Sequence, residues 1–184
     1  SPRILPASDL PADWREALTA PRPAIAGLRL DRPRIMGILN VTPDSFSDGG
    51  VHGDFTAARQ GALAMVAAGA DMIDIGGEST RPGSPQLPLE AELARVLPVL
   101  RGALALGVPV SVDTNKPEAM RVMLDEGADI INGIWALRRP GAREVIASHP
   151  NCGVCLMHMH GEPRTMQLAP MDGDAVPQVA CFLK

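Results

Sequence analysis

The sequence predicts an α/β fold in which parallel strands alternate with helices. Short apolar runs recur five times, and each is followed by a polar loop and then by a helical pattern. Strict alternation of strands and helices implies right-handed parallel crossovers. Five such units form either an open, doubly wound sheet or about the first five units of a (β/α)8 TIM barrel, and composition alone does not decide between the two.

The elements follow a lead-in, residues 1–33, which is predicted to be irregular because its six prolines prevent a long helix or strand. Residues 34–184 are predicted to form the barrel domain. The predicted strands are 35–39, 72–75, 108–112, 130–131 and 154–158. The predicted helices are 13–18, 55–68, 89–105, 117–126, 141–147 and one that starts near residue 172.

Local patterns justify the boundaries of these elements. Gly69, Gly107 and Gly127 each follow an apolar helical stripe, as a helix stop does. An internal repeat supports this, because Ala-Gly-Ala-Asp at 68–71 and Glu-Gly-Ala-Asp at 126–129 each precede a strand. Asp54 is the predicted N-cap of the helix at 55–68. The runs 35–39 and 154–157 are apolar throughout, so these strands are predicted to be buried on both faces.

Composition limits the classes of function. The 184 residues are 46% hydrophobic and 21% charged with a net charge of −4, so a basic surface for nucleic acid is not expected. No apolar run reaches the roughly 20 residues of a membrane span, and the first residues lack the pattern of a secretion signal. Three cysteines, an odd number, do not suggest a disulfide framework. We therefore expect a cytoplasmic protein that binds small molecules and neither nucleic acid nor membranes.

Polar side chains follow the carboxyl end of every predicted strand. They are Asn40, the stretch 78–81, Asp113 with Thr114, Asn132, and His158 with His160. In parallel α/β folds these strand ends meet on one face, where ligands bind. A single Asp, Asn or Thr at such a position more often only caps the next helix, and we favour this interpretation for Thr114.

Three of these groups suggest specific chemistry. Asp113 and Asn132 offer a carboxylate and a carboxamide, which suit a flat heterocycle with both donors and acceptors. Arg81 is the best candidate for an anion contact, although a solvated loop arginine explains it equally well. Asn40, with Asp44 and Asp48, offers hard oxygen ligands, which points to Mg²⁺ held jointly with substrate phosphates.

The segment 152–160 contains two cysteines and two histidines, which are residue types that bind zinc. Along an extended strand, however, Cys152 and Cys155 fall on opposite faces, so one tetrahedral centre would not collect them. We therefore favour a structural interpretation of this segment.

Four strings in the sequence resemble the successive signatures of the dihydropteroate synthase family. They are GILNVTPDSFSDGG (37–50), GGESTRPG (76–83), SVDTNKP (111–117) and LMHMHGEPRTMQ (156–167). The resemblance implies a TIM barrel that joins 6-hydroxymethyl-7,8-dihydropterin pyrophosphate to 4-aminobenzoate and releases pyrophosphate in folate biosynthesis. It also implies Mg²⁺ as the metal, sulfonamides as competitors of 4-aminobenzoate, and a homodimer.

The same resemblance implies roles for individual residues. It implies catalytic roles for Asn40, which also binds the metal, and for Asp113, and the anion contact predicted above makes Arg81 the third catalytic residue. The substrate-binding residues it implies are Thr80, Asp113 and Asn132, with Phe46 and Pro82 in the wall of the aminobenzoate site. Apart from the resemblance, Met157 belongs to a stripe of methionines that we interpret as pocket wall and core filler.

The sequence departs from the family pattern in two respects. Gly133 stands where family members usually have an acidic residue, and the family continues through three more strands that carry further substrate-binding groups. We therefore expect the sequence to be the amino-terminal part of a synthase. The alternatives are a pterin-binding methyltransferase domain, which does not need the loops at 37–50 and 76–83, and a catalytically inactive fragment or paralogue.

Overall fold

The computed structural model describes residues 6–41, 50–79, 86–161 and 173–183. The strands are β1 (Met36–Asn40), β2 (Met72–Gly76), β3 (Val110–Asp113), β4 (Ile130–Gly133) and β5 (Gly153–Leu156). The helices are α1 (Ala12–Thr19), α2 (Gly50–Ala67), α3 (Leu89–Leu104), α4 (Pro117–Asp125), α5 (Ala142–Ala147) and α6 (Val176–Phe182), and a short 3-10 helix spans Ala7–Asp9. Every predicted element is therefore present, with boundaries that differ by a few residues.

The five strands form one parallel sheet in the order β1-β2-β3-β4-β5. This strictly sequential order is that of a TIM barrel, whereas a doubly wound sheet reverses its strand order at a switch point. The fold is thus an incomplete barrel of five βα units, and the doubly wound alternative is wrong.

The two copies of the internal repeat have the same structure. Gly69 and Gly127 adopt φ values of +102° and +109°, and the following alanines, Ala70 and Ala128, donate to helix carbonyls five residues back in the Schellman pattern. The aspartate that ends each copy then accepts a backbone N–H at the start of the preceding strand. Ile35 N donates to Asp71 and Val110 N donates to Asp129, both at 2.9 Å.

Asp71 also holds the lead-in against the barrel. Its carboxylate pairs with Arg32 at 2.6 Å and with Arg34 at 3.1 Å. The backbone N–H of Ile35 and these two guanidinium groups lower the pKa of Asp71. The lead-in therefore contains one short helix, α1, as predicted, and these ion pairs fix its junction with β1.

The hydrophobic core lies between the sheet and the helices. One register row across the first four strands, Leu39, Ile75, Val112 and Ile131, packs there against α2, α3 and α4. Because side chains alternate along a strand, the neighbouring residues point to the opposite, concave face of the sheet.

The prediction that the first and last strands are buried on both faces is wrong. Ile38 of β1 is 61% exposed and Leu156 of β5 is 43% exposed. The reason is that the described helices cover one face of the sheet, and β1 and β5 are its two edges. The prediction that Asp54 is the N-cap of this helix is also wrong, because α2 begins at Gly50 and Asp54 lies inside it.

None of the helices in the described ranges is both long enough and apolar enough to cross a membrane.

Candidate active site

Polar residues from four strands lie in one row at the carboxyl end of the sheet. Asn40 pairs with Gly76, Gly76 with Asp113, Asp113 with Asn132, and Asn132 with Cys155. Residues that are paired in a parallel sheet point to the same face. The structure therefore brings together three of the predicted site residues, Asn40, Asp113 and Asn132, on the concave face.

Gly76 leaves space in the middle of this row. A Cβ atom at this position would lie 3.4 Å from Oδ1 of Asn40 and 3.9 Å from Cβ of Asp113. Any larger residue would place its side chain between these two groups, so glycine keeps a cradle open between them.

Asp113 has the electrostatic character of a site residue. Burial, followed by the nearby carboxylates of Asp74, Glu92 and Glu78, raises the pKa of Asp113 to about 7. Its side chain thus exists in both protonation states near neutral pH. Such a group can either donate a proton to a ligand or accept one from it.

A second polar row, one layer deeper, was missed by the sequence analysis. Asp74 of β2 is 5% exposed and pairs in register with Ser111 of β3, which is fully buried. Nδ2 of Asn132 donates to Oδ2 of Asp74 at 3.2 Å. Among the described residues, Oδ1 of Asp74 and Oγ of Ser111 have no hydrogen-bond partner. The signal in the sequence was an ionisable residue inside the otherwise apolar strand at 72–75.

A buried ion-pair network supports the row from the helix side. Nζ of Lys116 binds Glu78, and it lies 2.6 Å from Oε2 of Glu92. Burial alone would lower the pKa of Lys116, but its hydrogen bonds to Glu78 and Glu92 raise it overall. Thr114 Oγ1 donates to Glu92 at 2.5 Å and accepts from the backbone N–H of Lys116 at 3.4 Å. Thr114 is therefore buried beside α4 and bonded to Glu92, but it does not cap this helix as expected, because the N-cap residue of α4 is Lys116 and no side chain caps it.

The predicted residues of the first two loops, together with Asp44 and Asp48, lie outside the described residues. They are Phe46, Thr80, Arg81 and Pro82. Met157 follows β5 directly and is 43% exposed. Beyond it, the ring of His158 stands edge-on to Phe182 at 5.0 Å between centroids.

The two cysteines near β5 face different environments. Cys152 packs against the hydrophobic core, whereas Cys155 belongs to the polar row on the concave face. Burial and then the carboxylates of Asp74 and Asp113 raise the pKa of the Cys155 thiol. Within the described ranges, no three His, Cys, Asp or Glu side chains gather as they would around a metal ion.

Gly133 ends β4 in close contact with the neighbouring loop. A Cβ atom built there would lie 3.0 Å from the carbonyl oxygen of Thr114. Because that oxygen belongs to the backbone, the acidic residue expected at this position from the family pattern would require a shift of the loop.

This chain is similar to known proteins over most of its length. The family model described as "Pterin binding enzyme" matches residues 36–184. The dihydropteroate synthase of Escherichia coli is 52% identical over 153 residues, which are 83% of this chain and 54% of that protein. This chain thus spans about half the length of that relative.

Solved structures with high similarity are dihydropteroate synthases as well. One from Yersinia pestis in complex with a sulfonamide drug is 48% identical with a TM-score of 0.77, covering 85% of this chain and 57% of that one. Another, from Xanthomonas albilineans with 4-aminobenzoic acid, is 49% identical with a TM-score of 0.76, covering 89% and 58%.

Proposed function

The chain belongs to the pterin-binding enzyme family, and we propose that it serves as a dihydropteroate synthase. In this reaction 6-hydroxymethyl-7,8-dihydropterin pyrophosphate condenses with 4-aminobenzoate to give 7,8-dihydropteroate and pyrophosphate. The relatives reported above carry the name of this synthase and not that of a methyltransferase. One of them binds 4-aminobenzoic acid and another a sulfonamide drug, so we propose the same ligands for this chain.

The observation that carries the proposal is the pairing of Asp113 with Asn132 at the mouth of the barrel. A pterin ring is flat and has adjacent donors and acceptors along one edge. A carboxyl group that changes protonation near neutral pH and a carboxamide together match such an edge. We assign pterin recognition to these two residues, and Met157 to the pocket wall.

The chemistry requires departure of pyrophosphate before or while the arylamine attacks. This departure leaves positive charge delocalised into the pterin ring, so the site must stabilise the leaving anion and exclude water. We propose that Asn40 and Arg81 contact the pyrophosphate and that Thr80, Phe46 and Pro82 complete the site. No protein nucleophile is needed in this mechanism.

Asn40 fits a role as a protein ligand of Mg²⁺. Its side-chain oxygen is a hard donor at the open end of β1, beside the cradle that Gly76 leaves. Mg²⁺ sites commonly combine one or two protein oxygens with substrate phosphates. When bound there, the ion would neutralise charge on the pyrophosphate.

We also propose a cytoplasmic homodimer that acts on small molecules, without nucleic-acid or membrane partners. The net charge of −4 supports the absence of a nucleic-acid surface. Three free cysteines support a reducing compartment.

Asp113→Asn tests the proposed function. We expect binding of the pterin pyrophosphate to weaken by about 10- to 100-fold, because an amide leaves a buried pterin donor without its acceptor. Binding of 4-aminobenzoate should stay within about threefold. Isothermal titration calorimetry with each ligand measures both effects, and the exposed Asp125→Asn is the matched control. An equal loss for both ligands would mean that Asp113 is structural, and a wild-type protein that binds neither ligand would refute the function.

A further inference from the structure

Asp74 is a buried carboxylate to which the proposed reaction assigns no role. It lies one layer below Asp113, is 5% exposed, and has one oxygen bonded to Asn132 and one without a partner among the described residues. Burying a carboxylate is costly unless its hydrogen bonds are satisfied. Its position in the middle of an apolar strand therefore calls for a function that offsets this cost.

The bond to Asn132 determines which way the carboxamide faces. Nδ2 of Asn132 donates to Oδ2 of Asp74 at 3.2 Å, so the NH₂ group of Asn132 points toward Asp74. The amide oxygen, on the other side of the same carbon atom, then faces away from Asp74. Without Asp74, the amide could turn over and present either a donor or an acceptor to the ligand.

Two buried atoms without partners among the described residues lie at the bottom of the site, which we call its floor, and they indicate that a polar group of a ligand or a water molecule binds there. Oδ1 of Asp74 and Oγ of Ser111 are register neighbours on β2 and β3. Buried polar atoms in folded proteins almost always have a protein, water or ligand partner. A polar edge of a heterocycle, or a water molecule beneath it, would satisfy both.

We propose that Asp74 is a positioning residue that fixes the Asn132 carboxamide with its oxygen toward the ligand, so that the site selects a heterocycle with a hydrogen-bond donor at that place. This inference rests on the proposed function, because the heterocycle is the pterin of that reaction. Asp74 acts on the ligand through its hydrogen bond with Asn132.

A double-mutant cycle tests the proposal with 6-hydroxymethyl-7,8-dihydropterin pyrophosphate as the probe. Asp74→Asn keeps the shape of the side chain but removes the fixed acceptor. We expect it to raise the KM for the pterin substrate roughly tenfold, with kcat within about twofold and the KM for 4-aminobenzoate unchanged. In an Asn132→Ala background, Asp74→Asn should have no further effect on the pterin KM. An additive loss, or an equal loss for both substrates, would overturn the proposal.

A second measurement does not depend on activity. In the ligand-free wild-type protein, nuclear magnetic resonance should show the side-chain NH₂ protons of Asn132 protected from exchange with solvent, and Asp74→Asn should remove this protection. Ser111→Ala, which leaves the bond to Asn132 in place, is the control and should retain it. If the wild-type NH₂ protons exchange freely, the proposal is wrong, whether or not Asp74→Asn folds. If they are protected but the protein does not bind the pterin, the proposed function fails and the orientation of Asn132 stands.

Discussion

Replacing Lys116 with methionine is expected to lower the free energy of unfolding by about 3 kcal/mol. Methionine keeps most of the side-chain volume but removes the ammonium that pairs with Glu78 and Glu92. Glu92 is 1% exposed, so its carboxylate would be left buried without a cation. The expected value is at the low end for a broken buried ion pair because Lys116 itself keeps some contact with solvent.

Urea denaturation at pH 7 measures this effect, and two variants make it specific. Arg101→Met breaks an exposed ion pair with Glu126 and should change stability little. Adding Glu92→Gln to Lys116→Met removes one of the uncompensated charges and should recover part of the loss. If Lys116→Met were no more destabilising than Arg101→Met, the network would not be a stabilising feature.

The stability of the protein is expected to fall as the pH rises from about 4 to about 7, because of Asp113. The pKa of this carboxyl group is about 7 in the folded protein and 3.8 as its ordinary value. Between these two values the folded state binds more protons than the unfolded state, so raising the pH favours unfolding. The free energy of unfolding falls by at most about 4 kcal/mol because of Asp113, and this loss is complete above pH 7.

Asp113→Asn isolates this contribution. The variant should lose that part of the pH dependence and should be more stable than the wild type at pH 8, while the two are similar near pH 4. Urea denaturation curves at intervals between pH 4 and pH 8 measure the difference, and Asp13→Asn, at an exposed position of α1, serves as the control. Parallel curves for the wild type and Asp113→Asn would contradict the raised pKa.

The sequence predicted those features that depend on short-range patterns. The helix stops at Gly69 and Gly127 were predicted because a glycine with positive φ ends a helix locally. Asn40, Asp113 and Asn132 were predicted to meet because the carboxyl ends of parallel strands share one face, and the register places them in one row.

What the sequence did not predict depends on pairs of residues that are distant in the chain. Lys116 binds partners 24 and 38 residues away, and Asp74 binds Asn132 across 58 residues, so neither pairing leaves a local pattern. The exposure of Ile38 was missed for a related reason. An apolar strand looks the same in sequence whether one of its faces or both are covered.

The sequential strand order has a consequence for how the chain folds as it is synthesised. Each strand after β1 pairs with the strand that precedes it along the chain, and α2, α3, α4 and α5 likewise pack in order, each against the next. A new βα unit can therefore dock onto units that have already left the ribosome, without waiting for a later partner. We expect the sheet to grow from β1 toward β5 during translation, with Asp71 and Asp129 securing the starts of β1 and β3 as each repeat emerges.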